Sequence, residues 1–125
     1  MIFVDRSIPV GVAHALQAVR SDVIWLEDRF AHDVKDRIWL EAAGTEGWLV
    51  VSRDKKIRTR PGERRAIRVH HVGAFILTQN ENFTRWQYLK QITASLDEMQ
   101  RLFDSTTRPF IYGLSGTGRL TRIDW

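Results

Sequence analysis

The architecture of this chain is indicated most clearly by one short segment, Trp48-Leu49-Val50-Val51-Ser52-Arg53-Asp54. Four consecutive apolar residues follow Gly47, and the polar residue Ser52 ends the run. An uninterrupted apolar run of this length is typical of a strand that is buried on both faces, as in a parallel sheet. We therefore expect a strand over 48–51, with Ser52 and Asp54 beyond its carboxyl end.

The rest of the chain alternates between strand-like and helix-like patterns. Further strands are predicted at residues 2–4, 23–26, 74–77, 109–112 and 120–123. Helices are predicted from Pro9, from Asp33 to Ala43 with Gly44 ending the helix, from Pro61, and over 83–103 with Asn82 as the cap. This alternation predicts an α/β protein, a three-layer α/β/α sandwich with a mostly parallel central sheet. The length of 125 residues suits a single domain spanning 1–125.

The longest predicted helix has an apolar residue at every third or fourth position from Phe83 to Phe103. Such spacing places the apolar side chains on one face of a helix. Trp86 belongs to this pattern, and we expect the tryptophans of the chain to pack in the core.

Composition excludes several classes of protein. The chain has no cysteine, which excludes disulfide scaffolds, thiol nucleophiles, cysteine-ligated zinc and iron–sulfur clusters. No apolar run approaches the roughly 18–20 residues of a membrane span. The first apolar run is interrupted at Asp5 and is unlike a signal peptide. We therefore expect a cytoplasmic protein with no membrane partner.

Positive charge is concentrated in residues 53–68, called the basic segment below. This segment holds eight basic and two acidic residues, a local charge of +6 against +4 for the whole chain. Residues 22–46, by contrast, hold seven acids and three bases. Clustered arginine is the usual electrostatic mark of a partner that carries phosphate groups. The segment is therefore predicted to bind such a partner; a solvated basic face paired with the acidic residues is the alternative.

Three aspartates are predicted to meet at one edge of the sheet. Asp5 and Asp54 follow the first and third strands, and Asp36 lies near the start of the second predicted helix. Strand carboxyl ends and the N-termini of the following helices share one edge in this architecture. Clustered carboxylates need a cation or a shared proton, and Mg²⁺ or Mn²⁺ prefer oxygen ligands. We therefore predict a divalent-metal site there, with the Ser52 hydroxyl bonding an aspartate or a bound water.

A resemblance to a known family rests on three motifs: Phe3-Val4-Asp5-Arg6-Ser7-Ile8-Pro9, Asp36-Arg37-Ile38-Trp39-Leu40 and, most specifically, Glu46-Gly47-Trp48-Leu49-Val50-Val51-Ser52-Arg53-Asp54-Lys55-Lys56-Ile57-Arg58. The chain resembles the PIN-like domains of the VapC-type toxin ribonucleases, especially their compact single-domain relatives. The resemblance implies an α/β/α sandwich and a ribonuclease site in which Asp5, Asp36 and Asp54 bind Mg²⁺ or Mn²⁺. Ser52 stands where these proteins often have a serine or threonine.

The chain departs from the pattern of those relatives at two positions. Arg6 follows the first aspartate, where compact relatives often have a glutamate. Lys56 occupies the place of a second aspartate two residues after Asp54. Both changes add positive charge beside the predicted metal site.

The leading hypothesis from the sequence is a metal-dependent endoribonuclease that cleaves RNA phosphodiester bonds, the toxin of a toxin–antitoxin pair. Its predicted catalytic residues are Asp5, Asp36, Asp54 and Ser52. Its predicted RNA contacts are Arg53, Lys55, Lys56, Arg58, Arg60, Arg64 and Arg65.

Two other hypotheses remain open. A non-catalytic RNA-binding or regulatory module on the same fold is favoured by the positive charge of Arg6 and Lys56. A phospho-acceptor domain of the receiver type fits the length and the aspartate after the third strand. It lacks the adjacent acidic pair at Asp5 and a lysine after a later strand.

The predicted partners are an RNA substrate and a small antitoxin protein. The long helix and the segment 109–125 look apolar for a short chain. Surface left uncovered there suits an antitoxin peptide, or a second copy of the chain in a homodimer.

Overall fold

The centre of the molecule is a six-stranded sheet. The structure is a computed structural model that describes the whole chain, Met1–Trp125. The strands are β1 (Ile2–Val4), β2 (Val23–Trp25), β3 (Leu49–Ser52), β4 (Gly73–Leu77), β5 (Phe110–Leu114) and β6 (Leu120–Arg122). Their order across the sheet is β2-β1-β3-β4-β5-β6, and all neighbours are parallel except β5 and β6. The predicted α/β sandwich with a mostly parallel sheet is confirmed.

Helices connect the strands and cover both faces of the sheet. They are α1 (Val10–Val19), α2 (Leu26–Arg29), α3 (Asp36–Glu46), α4 (Pro61–Val69) and α5 (Arg85–Ser105). A short 3₁₀ helix, Lys55–Arg58, lies between β3 and α4. None of the helices combines the length and the apolar character that crossing a bilayer requires.

Alternate residues of the strands contribute to two separate cores, because successive side chains of a strand point to opposite faces. In β1, Ile2 and Val4 pack in the core that includes α1 and α5, whereas Phe3 packs in the core beneath α3 and α4. The Phe3 ring stacks between Trp39 and Trp48, at centroid distances of 5.1 and 5.3 Å. With both faces covered, the polar residues that follow the strands collect at the carboxyl edge of the sheet.

The limits of α3 differ from the sequence prediction at both ends. The helix begins at Asp36 rather than after Asp33, which makes Asp36 its first residue. It continues through Gly44 to Glu46 and is capped by Gly47, whose φ of 71° lies in the left-handed region that favours glycine. Gly44 has a different role, because it allows α3 to approach the backbone of His70 at the end of α4.

The start of α5 also differs from the prediction. The cap is Thr84, not Asn82: the Thr84 hydroxyl accepts a hydrogen bond from the Gln87 amide, and the Gln87 side chain accepts one from the Thr84 amide. The expectation that Trp86 packs in the core is wrong, since its side chain is 64% exposed. Tyr88 lies two positions later, which is about 200° around the helix, and it is the residue that faces the core.

Candidate active site

Asp5, directly after β1, is a buried carboxylate with only 2% of its surface exposed. Its Oδ1 accepts hydrogen bonds from the Ser7 amide at 3.1 Å and from the Ser7 hydroxyl. Its Oδ2 accepts one from Ser52 Oγ at 2.8 Å. Burial raises the pKa of Asp5 to about 6, against the lowering effect of the serine hydrogen bonds, and the negative charge of Asp36 raises it further. Asp5 therefore holds a proton more strongly than an ordinary aspartate.

The buried hydroxyl of Ser52 connects the ends of β1 and β3. It donates to Asp5 and accepts a hydrogen bond from the Asp54 amide at 3.0 Å. Ser7 Oγ lies 3.2 Å from Ser52 Oγ and accepts a hydrogen bond from the Arg53 amide at 2.9 Å. The two serines thus hold the backbone before Asp54 against the carboxylate of Asp5.

Asp36 and Asp54 share a single cation, the guanidinium group of Arg60. Its Nη1 lies 3.1 Å from Asp54 Oδ2 and 3.7 Å from Asp36 Oδ2. Arg6 Nη1 lies 3.3 Å from the other oxygen of Asp36, which also accepts a hydrogen bond from Trp39 Nε1 at 3.0 Å. The aspartates of three distant segments therefore lie at the carboxyl edge, and arginines neutralise two of them.

The three aspartates offer carboxylate oxygens, which are the type of ligand that a hard divalent ion prefers. As the side chains stand, however, no group of acids or histidines is arranged to hold a metal ion. Arg60 lies between Asp36 and Asp54, and its side chain is 44% exposed. The residue types therefore suit Mg²⁺ or Mn²⁺. The guanidinium of Arg60 would compete with the metal ion for the carboxylates of Asp36 and Asp54.

This competition leads to a testable prediction for Arg60. Arg60→Ala is expected to strengthen Mn²⁺ binding about fivefold, because a partly exposed ion pair contributes up to about 1 kcal/mol. The free Mn²⁺ remaining at increasing total Mn²⁺ can be followed by electron paramagnetic resonance. Arg58→Ala is the matched control, since it removes the same charge from a residue that forms no ion pair with the acids. Equal binding curves for the two variants would contradict competition by Arg60.

The first part of the basic segment lies close to the acids. Arg53 Nη2 donates to Asn82 Oδ1 at 3.3 Å, and its guanidinium lies over the Tyr88 ring at 5.1 Å from the centroid. Lys55 donates to Asn80 in the same loop. These side chains therefore place positive charge between Asp54 and the start of α5.

The remaining predicted RNA contacts are distributed differently. Lys56 is exposed and Arg58 is half-buried, and both belong to the 3₁₀ helix. On α4, Nε of Arg64 is buried without a hydrogen-bond partner, and Arg65 lines a cavity of about 430 Å³ between α3 and α4. The basic segment is therefore not one continuous strip, and RNA contact by its residues stays a prediction.

Sequence reasoning assigned no role to Ser7, and it predicted RNA contact for Arg60 rather than ion pairing with the acids. The spacing of Asp5 and Ser7 was an available signal, because an aspartate often accepts a hydrogen bond from the amide two residues later. No local signal marked Arg60, since its acidic partners are Asp54, six residues away, and Asp36, twenty-four residues away at the start of α3. A larger cavity of about 740 Å³ lies elsewhere, beside His70 and His71, and contains none of the three aspartates.

Comparison with known families agrees with this geometry. A family model described as a PIN-like domain matches residues 1–79. The matched part runs from β1 to the residues just after β4, and it contains the three aspartates and the whole basic segment. Searches of curated proteins and of solved structures gave no match.

Proposed function

Because this chain belongs to the PIN-like domain family, a family of nuclease type, we propose that it is a divalent-metal-dependent endoribonuclease. The observation that supports the proposal is the placement of Asp5, Asp36 and Asp54 at one edge of the sheet. Two of these acids already bind a common cation, the guanidinium of Arg60. A centre of this kind, beside the positive charges of Arg53 and Lys55, suits the cleavage of a polyanion.

Each residue of the edge has a proposed role. Asp5, Asp36 and Asp54 would hold Mg²⁺ or Mn²⁺, which stabilises developing charge on a phosphate and lowers the pKa of water. Ser7 and Ser52 orient the Asp5 carboxylate through the hydrogen bonds described above. Arg53 and Lys55 would contact RNA phosphates by charge, without selecting a base sequence.

The proposal predicts that Asp54→Asn abolishes RNA cleavage while leaving the fold intact. We expect a loss of at least about 100-fold, because even groups that only support metal ligands contribute about 10- to 100-fold. Asparagine remains a good cap for the 3₁₀ helix, where Asp54 Oδ1 accepts a hydrogen bond from the Lys56 amide at 3.0 Å. The measurement is cleavage of labelled single-stranded RNA with Mn²⁺ or Mg²⁺, together with the melting temperature of each protein.

Asp97→Asn is the matched control for this experiment. Asp97 is exposed on α5, so the same chemical change is made away from the acidic centre. Metal-dependent cleavage by the wild type and the control, and none by Asp54→Asn, would support the proposal. Undiminished cleavage by Asp54→Asn would contradict the assignment of Asp54 to the catalytic site.

A second candidate function is RNA binding without cleavage. The observation that favours it is the neutralisation of Asp36 and Asp54 by Arg6 and Arg60, which leaves fewer carboxylate oxygens for a metal ion. A wild-type protein that binds RNA equally in Mn²⁺ and in chelator, and cleaves it in neither, would favour this function over the first.

A role as a toxin follows from the resemblance to VapC-type proteins, and we propose it as an extension of ribonuclease activity. Induced expression should then arrest bacterial growth for the wild type but not for Asp54→Asn.

A small antitoxin is the proposed protein partner, and a homodimer is the proposed assembly. Sedimentation of the purified chain at high concentration tests the homodimer directly, since a monomer under those conditions would exclude it.

A further inference from the structure

Trp86 is the one tryptophan of the chain that lies mainly in solvent. Trp25, Trp39 and Trp48 are buried, Trp125 is partly buried, and Trp86 is 64% exposed. A large apolar ring on the surface gains little from folding, and exposed indole rings commonly serve as contact surfaces. The exposed ring therefore offers a contact surface for a partner with a flat apolar face.

The ring lies at the carboxyl edge of the sheet, because α5 begins there after β4. The first turns of α1 and α5 are neighbours: a Cβ at Gly11 would lie 3.2 Å from Cδ of Arg85. Between them is a shallow cavity of about 280 Å³, lined by Gly11, Val12, Arg85, Trp86 and Leu89. The same edge carries Asp5, which precedes α1 by only a few residues.

Two basic residues lie beside the Trp86 ring, and a third lies at the loop before α5. Arg85 lines the same cavity, and Nζ of Lys90 lies 5.8 Å from the centroid of the Trp86 ring. Arg53, next to Asp54 in the chain, reaches Asn82 in the loop that leads into α5. Arg85 and Lys90 thus place positive charge beside the Trp86 ring, and a phosphate backbone requires such charge.

We propose that Trp86 and Arg85 form a binding subsite for one nucleotide of single-stranded RNA, the base stacking on the indole and the phosphate pairing with Arg85. Aromatic stacking beside a positively charged groove is the usual way in which single strands are held without regard to sequence. The inference rests on the proposed function, because it names a substrate contact of the same edge. It also specifies an unpaired strand, since the bases of a duplex do not expose their faces.

The test is the affinity for a fluorescently labelled single-stranded uridine oligomer, measured by anisotropy in the presence of a chelator so that the RNA is not cleaved. Trp86→Ala should weaken binding about 5- to 150-fold, the range expected for loss of one base stack. Trp86→Phe, which keeps an aromatic face, should retain most of the affinity. Val19→Ala is the control, because Val19 is an exposed apolar residue at the opposite end of α1.

A second measurement separates stacking from charge. Polyphosphate has the charges of RNA without its bases, so it should bind the wild type and Trp86→Ala equally. RNA should also quench the tryptophan fluorescence of the wild type, and this quenching should be lost in Trp86→Phe.

The outcomes distinguish this inference from the proposed function. If the wild type does not bind RNA, the proposed function and this subsite both fail. If the wild type binds RNA and both Trp86 variants bind it equally well, the subsite alone is wrong. Sedimentation showing a dimer that Trp86→Ala dissociates, with RNA affinity unchanged, would make a second copy of the chain the occupant and would also overturn the proposal.

Discussion

Replacing Asp5 with asparagine is expected to raise the free energy of unfolding by about 3 kcal/mol at neutral pH in the presence of a chelator. The reason is the burial of a carboxylate whose pKa is raised from 3.8 to about 6. Asparagine has nearly the same shape and accepts the same hydrogen bond from the Ser7 amide, but it carries no charge to desolvate. The substitution should also remove metal-dependent cleavage, because Asp5 is one of the proposed metal ligands.

The pH dependence of this effect follows from the two pKa values of Asp5. Between pH 3.8 and about 6, the folded protein holds the Asp5 proton more tightly than the unfolded chain does. The contribution of Asp5 to stability is therefore fully present below pH 3.8, and it is lost as the pH rises through this window. A shift of about two pKa units corresponds to about 3 kcal/mol, at 1.36 kcal/mol for each unit. The wild type and Asp5→Asn should consequently have similar stability near pH 3.5 and diverge above it.

Urea unfolding of both proteins at a series of pH values from 3.5 to 8 measures this difference. Asp22→Asn provides a control of opposite sign, because Arg20 holds the pKa of Asp22 below its usual value. Parallel stability curves for the wild type and Asp5→Asn over the whole range would contradict the raised pKa. A more stable but inactive Asp5→Asn protein is the result expected for a charge that is retained for function.

Replacing Gly44 with alanine is expected to lower the free energy of unfolding by about 3 kcal/mol. A Cβ at this position would lie 2.1 Å from the carbonyl oxygen of His70 and 2.7 Å from its Cβ. Both atoms belong to or adjoin the backbone, so α3 and α4 must move apart to accommodate the methyl group. The melting temperature should fall by about 10 °C for a chain of this size.

Gly62→Ala is the matched control for Gly44→Ala. Gly62 lies in the first turn of α4, and no atom lies within 4 Å of the place where its Cβ would be. Alanine has the higher helix propensity, so this variant should be as stable as the wild type or more stable by up to about 1 kcal/mol. A Gly44→Ala protein with the same thermal stability as Gly62→Ala would show that the two helices have room to separate.

The strands were the most predictable elements of the fold. Apart from the antiparallel edge strand β6, each is a short and mainly apolar run, and burial on both faces of a parallel sheet selects for that pattern. Helix limits were less predictable, because they depend on caps and close contacts. Gly44 illustrates this: a glycine near the end of an apolar pattern suggests a C-cap, yet its function is the contact with His70. Trp86 had the spacing of a core residue, but its neighbour Tyr88 faces the core instead.

The acidic site was predictable only in part. Parallel strands have a common carboxyl edge, so the expectation that Asp5 and Asp54 lie there needed no knowledge of contacts. The ion pairs of Asp36 depend on long side chains from elsewhere in the chain. Arg60 is twenty-four residues from Asp36 in the sequence, and nothing in the local pattern separates it from the other arginines of the basic segment.

The sequence alone was sufficient to specify a parallel α/β sheet, a set of acids at its carboxyl edge and a basic segment after the third strand. These features depend on local periodicity and on the order of elements, which the chain carries directly. Tertiary packing decided how the acids and arginines of the site pair with one another. It also decided that Asp5 is buried with a raised pKa and that Trp86 lies in solvent beside Arg85. Desolvation and ion pairing depend on atoms that are distant in the chain, so they are determined only when the layers of the fold come together.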